Sequence, residues 1–93
     1  MARQHYFRQR PGLDTRMVDG EAFIITPSTI RHLNPVASLI WLALDQPLRR
    51  AELVELMAEF YPGVPREQLA ADVRRALAQL VEMDLALQSK SPC

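Results

Sequence analysis

Cysteine, glycine and aromatic residues are all scarce in this 93-residue chain, which has one cysteine, three glycines and 6% aromatics. The single cysteine is Cys93, so neither a disulfide framework nor a cysteine-based metal site can be assembled. At that position a thiolate has no fixed partner and is not expected to act as a nucleophile. Gly12, Gly20 and Gly63 are isolated from one another, which excludes a glycine-rich phosphate loop. No apolar run is long enough to cross a bilayer, and the opening MARQHYFRQR lacks the apolar stretch of a secretory signal. A cytoplasmic protein with no membrane contact is expected.

Groups that do chemistry are equally sparse. His5 and His32 have no second ligand at i+3 or i+4, so no zinc site is expected. Glu52, Glu55 and Glu59 recur at a spacing that puts them on the solvent face of a helix. No base, nucleophile and metal cluster converge, and the expectation is a non-enzyme with no catalytic residue, no metal and no cofactor.

What the chain does have is aliphatic packing material. It is 48% hydrophobic and 24% charged, the balance of an ordinary globular domain, and its length suits one core. The formal charge is zero but unevenly spread: residues 1–33 carry a net +2 and residues 34–87 a net −3. Nucleic-acid binders concentrate positive charge on the element that meets phosphate, so the acidic helical part disfavours that partner.

Residues 1–14 show no periodicity and are broken by Pro11-Gly12, which reads as a flexible or loosely docked arm. Thr15–Val18 and Glu21–Ile25 flank Asp19-Gly20, the signature of a tight hairpin, because Gly20 accepts a positive φ. Thr26-Pro27-Ser28 reverses the chain, and Thr29–Leu33 follows as a third short strand. Asn34-Pro35 then starts a helix whose expected core face is Val36, Leu39, Ile40, Ala43 and Leu44. A second helix, from Arg49 or Arg50, turns Leu53, Leu56, Met57 and Phe60 inward and stops at Tyr61-Pro62-Gly63. The third and longest begins near Pro65 and carries the stripe Leu69, Val73, Ala76, Leu77 and Leu80. Asp84 closes it where glycine is commoner, Leu85–Leu87 returns as an extended stretch, and residues 88–93 form a frayed tail. The fold expected is α+β: three short N-terminal strands covered by three helices, with the domain spanning residues 15–87.

Two features stand beside this core pattern. Trp41 adjoins the apolar stripe and suits structural anchoring more than ligand contact. Arg74 and Arg75 lie off the stripe of the third helix beside Ala70, Ala71, Ala78 and Val81. Simple solvation explains them, yet a flank of small residues with a long cation also lets an extended chain lie close.

The succession Leu33-Asn34, Ile40-Trp41, Leu53, Val73, Leu77, Leu80 and Leu85 resembles the PqqD-like family over roughly residues 15 to 87. Its most specific part is the Leu-Asn helix start followed seven residues later by Ile-Trp. The resemblance implies a winged helix-turn-helix-like domain acting as a peptide chaperone in the making of ribosomally synthesised, modified peptides. The best-known member of that family delivers the precursor of pyrroloquinoline quinone to a radical S-adenosylmethionine enzyme. In related recognition domains the precursor's leader adds as a strand to the edge of the third strand and packs on the third helix. Carried onto this chain, the peptide-binding edge is Thr29, Ile30, Arg31, His32 and Leu33. The facing helix positions are Arg74, Leu77, Ala78 and Val81, with Arg75 beside them. The partners implied are a short precursor peptide and a maturation enzyme, the chain itself being a monomer or homodimer. Relative to the family, the Pro27–Leu33 segment is short and Asp84 replaces a glycine. The alternatives from other classes are a DNA-binding winged helix presenting Arg66, Arg74 and Arg75 to a groove, and a structural or dimerisation module whose apolar edge pairs with its own copy.

Overall fold

The computed structural model describes residues 5–90. Within them, six strands and three helices alternate as β1 (Tyr6–Gln9), β2 (Asp14–Val18), β3 (Glu21–Ile25), β4 (Ile30–His32), α1 (Pro35–Ala43), β5 (Leu48–Arg49), α2 (Arg50–Phe60), α3 (Arg66–Glu82) and β6 (Ala86–Ser89). The strands form two antiparallel sheets, ordered β5-β1-β6 and β2-β3-β4.

The second sheet is local in sequence and follows the expected pattern. Asp19 and Gly20 have φ of 52° and 81°, so both central residues of the β2–β3 turn are left-handed, as a type I′ hairpin requires. Alternation along β3 buries Ala22 and Ile24 while Phe23 and Ile25 are only partly covered. At the next turn Thr26 accepts the Thr29 amide on its hydroxyl at 3.0 Å, and its own amide donates to the Thr29 carbonyl at 2.8 Å.

The first sheet departs from expectation. Instead of a loose arm, Tyr6–Gln9 is its central strand, paired with Leu48–Arg49 on one side and Ala86–Ser89 on the other. The Gln9 amide donates to Leu44 O at 2.8 Å, its side-chain amide donates to Trp41 O at 2.7 Å, and the Arg10 amide donates to Leu85 O at 2.8 Å. Four residues cannot display a periodicity, and partners some 40 and 80 positions away leave no local trace. Gln88 and Ser89, expected in a frayed tail, likewise belong to β6; Cys93 lies outside the described residues. Among the described residues, β1 and β5 are thus added to the three expected strands and to the extended stretch expected at Leu85–Leu87.

The α1 start is as expected: Asn34 Oδ1 accepts the Ala37 amide at 2.8 Å and Pro35 occupies the first helical position. Its buried face is rotated by about one residue from the expected one. Ala37, Ser38, Ile40, Trp41 and Leu44 are buried, whereas Val36, Leu39 and Ala43 are only partly so. Trp41 sets this rotation, with no exposed surface and an indole N–H donating to Thr15 Oγ1 at 2.9 Å. In α2, Leu53 and Met57 are buried, but Phe60, expected inward, is 56% exposed. Phe60 shares their stripe yet is the last residue of the helix, and helical phase does not say where the core ends.

All five expected residues of the α3 stripe, Leu69, Val73, Ala76, Leu77 and Leu80, are buried. Asp84 takes the left-handed conformation, with φ of 63°, and the Leu85 amide donates to Leu80 O at 2.9 Å. That is the Schellman closure with aspartate in the usual glycine position. Arg10 pairs with the Asp84 carboxylate, tying the exit of β1 to this cap. No helix of the described residues is long and apolar enough to cross a membrane.

Candidate functional site

The edge of the β2-β3-β4 sheet carries the site residues expected from sequence. Leu33 donates its amide to Ala22 O at 2.9 Å, and Thr29 receives the Thr26 amide. In the register Ile25↔Ile30, Ile24↔Arg31 and Phe23↔His32, narrow hydrogen-bonded pairs alternate with wide ones. Thr29, Arg31 and Leu33 therefore turn their backbone polar groups toward β3. Ile30 and His32 turn theirs toward the open side of β4, where no strand follows in the sheet. A short row of donors and acceptors is available to another extended chain.

Side chains divide the same way. Arg31 and Leu33 lie on the helix-facing side with Ile24 and Ala22, and Ile30 and His32 lie on the outer side. Ile30 is 61% exposed. His32 stacks on Phe23 at a centroid separation of 4.6 Å and donates from Nε2 to Glu21 at 2.5 Å, which stiffens the edge from its outer face.

Ser38 anchors the inner end of this edge. It is 1% exposed, accepts the Ala22 amide at 2.8 Å and donates to Leu33 O at 3.2 Å. The hydroxyl thus replaces the second ladder bond of the Ala22–Leu33 pair and ties two strands to α1. Sequence reading missed it; a lone serine beside the apolar positions of a helix was the only signal.

Between β4 and α3 runs a trough of three linked depressions. One lies beside Thr29 and Arg31 and reaches Met83 and Asp84; the next holds His32, Leu33, Ala37, Gln79, Glu82 and Met83. The last continues between α1 and α3 with Val36, Asp72, Arg75, Ala76 and Gln79. Of the expected helix positions, Arg75 lines it. Leu77 is 1% exposed and belongs to the core, out of reach of a surface ligand. At about 100° per residue, Arg74, Ala78 and Val81 fall on the other flank of α3, the side on which Ala70 and Arg66 meet α2. An amphipathic helix has two flanks beside its core stripe, and only the position of β4 says which one borders the edge. Gln79, Glu82 and Met83 are the side chains that sequence reading passed over.

Behind that other flank, Arg66 grips Glu55 with both guanidinium nitrogens, the longer contact being 2.9 Å. This holds the Glu55 carboxyl below, and the Arg66 guanidinium above, their ordinary pKa values. Glu52 is also lowered, first by the hydrogen bond it accepts from the Arg49 amide at 2.8 Å and then by the one it accepts from Arg49 Nε at 3.2 Å, both at the α2 start. Arg75 pairs with Asp72 at 3.2 Å. Among the described residues no three histidine, cysteine or acidic side chains gather as a metal site.

Similarity to known proteins converges on one group. The sequence model described as coenzyme PQQ synthesis protein D (PqqD) matches residues 18–86. TbiB1, solved in complex with the TbiA(beta) leader peptide, superposes with a TM-score of 0.73 at 25% identity, covering 85% of this chain and 93% of its own. The solution structure of the PqqD truncation of Methylobacterium extorquens PqqCD, described as a functional, stand-alone recognition element for ribosomally synthesised and post-translationally modified peptides, gives the same TM-score of 0.73. Its identity is 15% and the coverage is 88% of each chain, so that likeness concerns the fold. No curated protein sequence matches the chain at a significant level.

Proposed function

We propose, from the premise that this chain belongs to the PqqD family, that it is a non-catalytic adaptor holding the leader of a precursor peptide for a modifying enzyme. The leader adds as a strand to β4 and lies in the trough against α3, and the enzyme served is of the radical S-adenosylmethionine kind. The observation carrying this reading is the unpaired edge at Ile30 and His32, bordered by an apolar floor of Leu33, Ala37 and Met83. Backbone pairing supplies affinity without regard to sequence, while alternate guest side chains entering the trough supply selectivity. That TbiB1, a similar structure, was solved in complex with a leader peptide supports the peptide-holding role. The work is done by the chain's own backbone, without a cofactor, and in the cytoplasm.

The DNA-binding alternative finds little support in the same geometry. Arg66 and Arg75 are each paired to a carboxylate, and Arg66, Arg74 and Arg75 are spread around α3 instead of converging.

Proline substitutions test strand addition directly. In calorimetric titrations with a synthetic peptide selected by phage display against the full chain, Ile30→Pro should weaken binding by about tenfold or more, since it removes an outward N–H and crowds the guest. Folding should survive, because that N–H faces no host strand. Arg31→Pro should instead destabilise the domain by about 1–3 kcal/mol in chemical denaturation, having lost a bond to β3. Undiminished affinity in both Ile30→Pro and His32→Pro would sink the strand-addition reading.

A further inference from the structure

The trough beside β4 changes sign along its length, and we infer that the guest strand carries a basic and an acidic side chain two residues apart, both turned toward α3. The inference rests on the strand-addition reading. Arg31 and Leu33 are consecutive side chains on the helix-facing side of β4, so two successive inward side chains of a paired guest stand beside them, about 7 Å apart.

Beside Leu33 the floor is apolar and Glu82 stands at the rim. Glu82 is exposed and has no ion-pair partner among the described residues; His32, in the same depression, is engaged by Glu21. A lysine or arginine fits this well in both its parts, the aliphatic stem covering Leu33, Ala37 and Met83 and the charge reaching the carboxylate. Beside Arg31 the balance is reversed. Arg10 and Asp84 neutralise each other there, which leaves the exposed Arg31 guanidinium as the uncompensated charge, ready for a carboxylate on two nitrogens. Farther along, Asp72 and Arg75 are already paired. The charge therefore runs positive, negative, neutral, and a guest with one acidic and one basic residue at i and i+2 complements it, while one with the two reversed meets like charge at both wells.

Random twelve-residue peptides displayed on phage, selected against the full chain, supply the probes. Enriched peptides are expected to carry one acidic and one basic residue two positions apart, in a constant order. In titrations of a resynthesised peptide, Glu82→Lys should weaken binding about tenfold, and glutamate in place of the peptide's basic residue should restore it. Arg31→Glu should behave likewise toward the acidic position. Both side chains are exposed, so circular dichroism should be unchanged. Peptides that lose binding in Ile30→Pro but have no such spacing, or ignore Glu82→Lys, overturn this inference and leave the adaptor reading intact. Binding undiminished in both Ile30→Pro and His32→Pro, or no enrichment at all, overturns both.

Discussion

The two small sheets of this domain are built in opposite ways. The β2-β3-β4 sheet is made from one continuous segment between residues 14 and 32, turned by Asp19-Gly20 and Thr26–Thr29. The β5-β1-β6 sheet joins pieces from the start, middle and end of the chain. The first has an open edge with exposed side chains at Ile30, Arg31 and His32, whereas the central strand of the second buries Phe7 to 3% exposure. Local pairing costs little loop entropy, so a hairpin sheet can leave an edge free for a guest. Long-range pairing must recover a larger closure cost, and it does so with a buried aromatic side chain and with bonds from Gln9 to the end of α1.

Phe7→Ala is the severest test of that division. Loss of this ring from the closing sheet should cost about 3–5 kcal/mol in urea or guanidinium unfolding, a large part of the stability of a domain of this size. A loss below about 1 kcal/mol would make the β5-β1-β6 sheet an ornament and erase the contrast. Ser38→Ala probes the other sheet. It leaves the Ala22 amide and the Leu33 carbonyl without their buried partner, and about 1–3 kcal/mol should be lost with weaker peptide binding besides. Full retention of both would mean that the two strands close directly, without help from α1.

The smallest effect should come from Glu55→Gln. Folding lowers the Glu55 pKa through Arg66, so the stabilisation is present above the unfolded-state value and is lost as pH falls through the folded-state value. At neutral pH the variant should be slightly less stable, and its stability should fall less steeply in acid. An unchanged acid limb in pH-dependent thermal melts would show that this exposed clamp between α2 and α3 contributes nothing.

Much of the domain could be read locally. The Asp19-Gly20 turn, the Asn34-Pro35 cap, the entire α3 stripe and the left-handed Asp84 each depend on neighbours within a few positions. The candidate edge from Thr29 to Leu33 was legible for the same reason, since it follows a readable hairpin and precedes a readable cap. Its helix wall was not. Arg74, Ala78 and Val81 share a helix with Gln79, Glu82 and Met83, and nothing in their spacing distinguishes one flank from the other. The inward turn of Trp41 and the exposure of Phe60 were decided by what lies across from them.

By itself, then, the order of residues determined three helices, a hairpin with a third strand and the resemblance to the PqqD-like family, because propensity, capping and periodicity act over a turn or two of chain. Only the tertiary structure decided that Tyr6–Gln9 is a central strand, which amides of β4 face outward, and which flank of α3 completes the trough. Those outcomes depend on segments far apart in sequence packing against one another, and no local pattern encodes a partner 80 residues away.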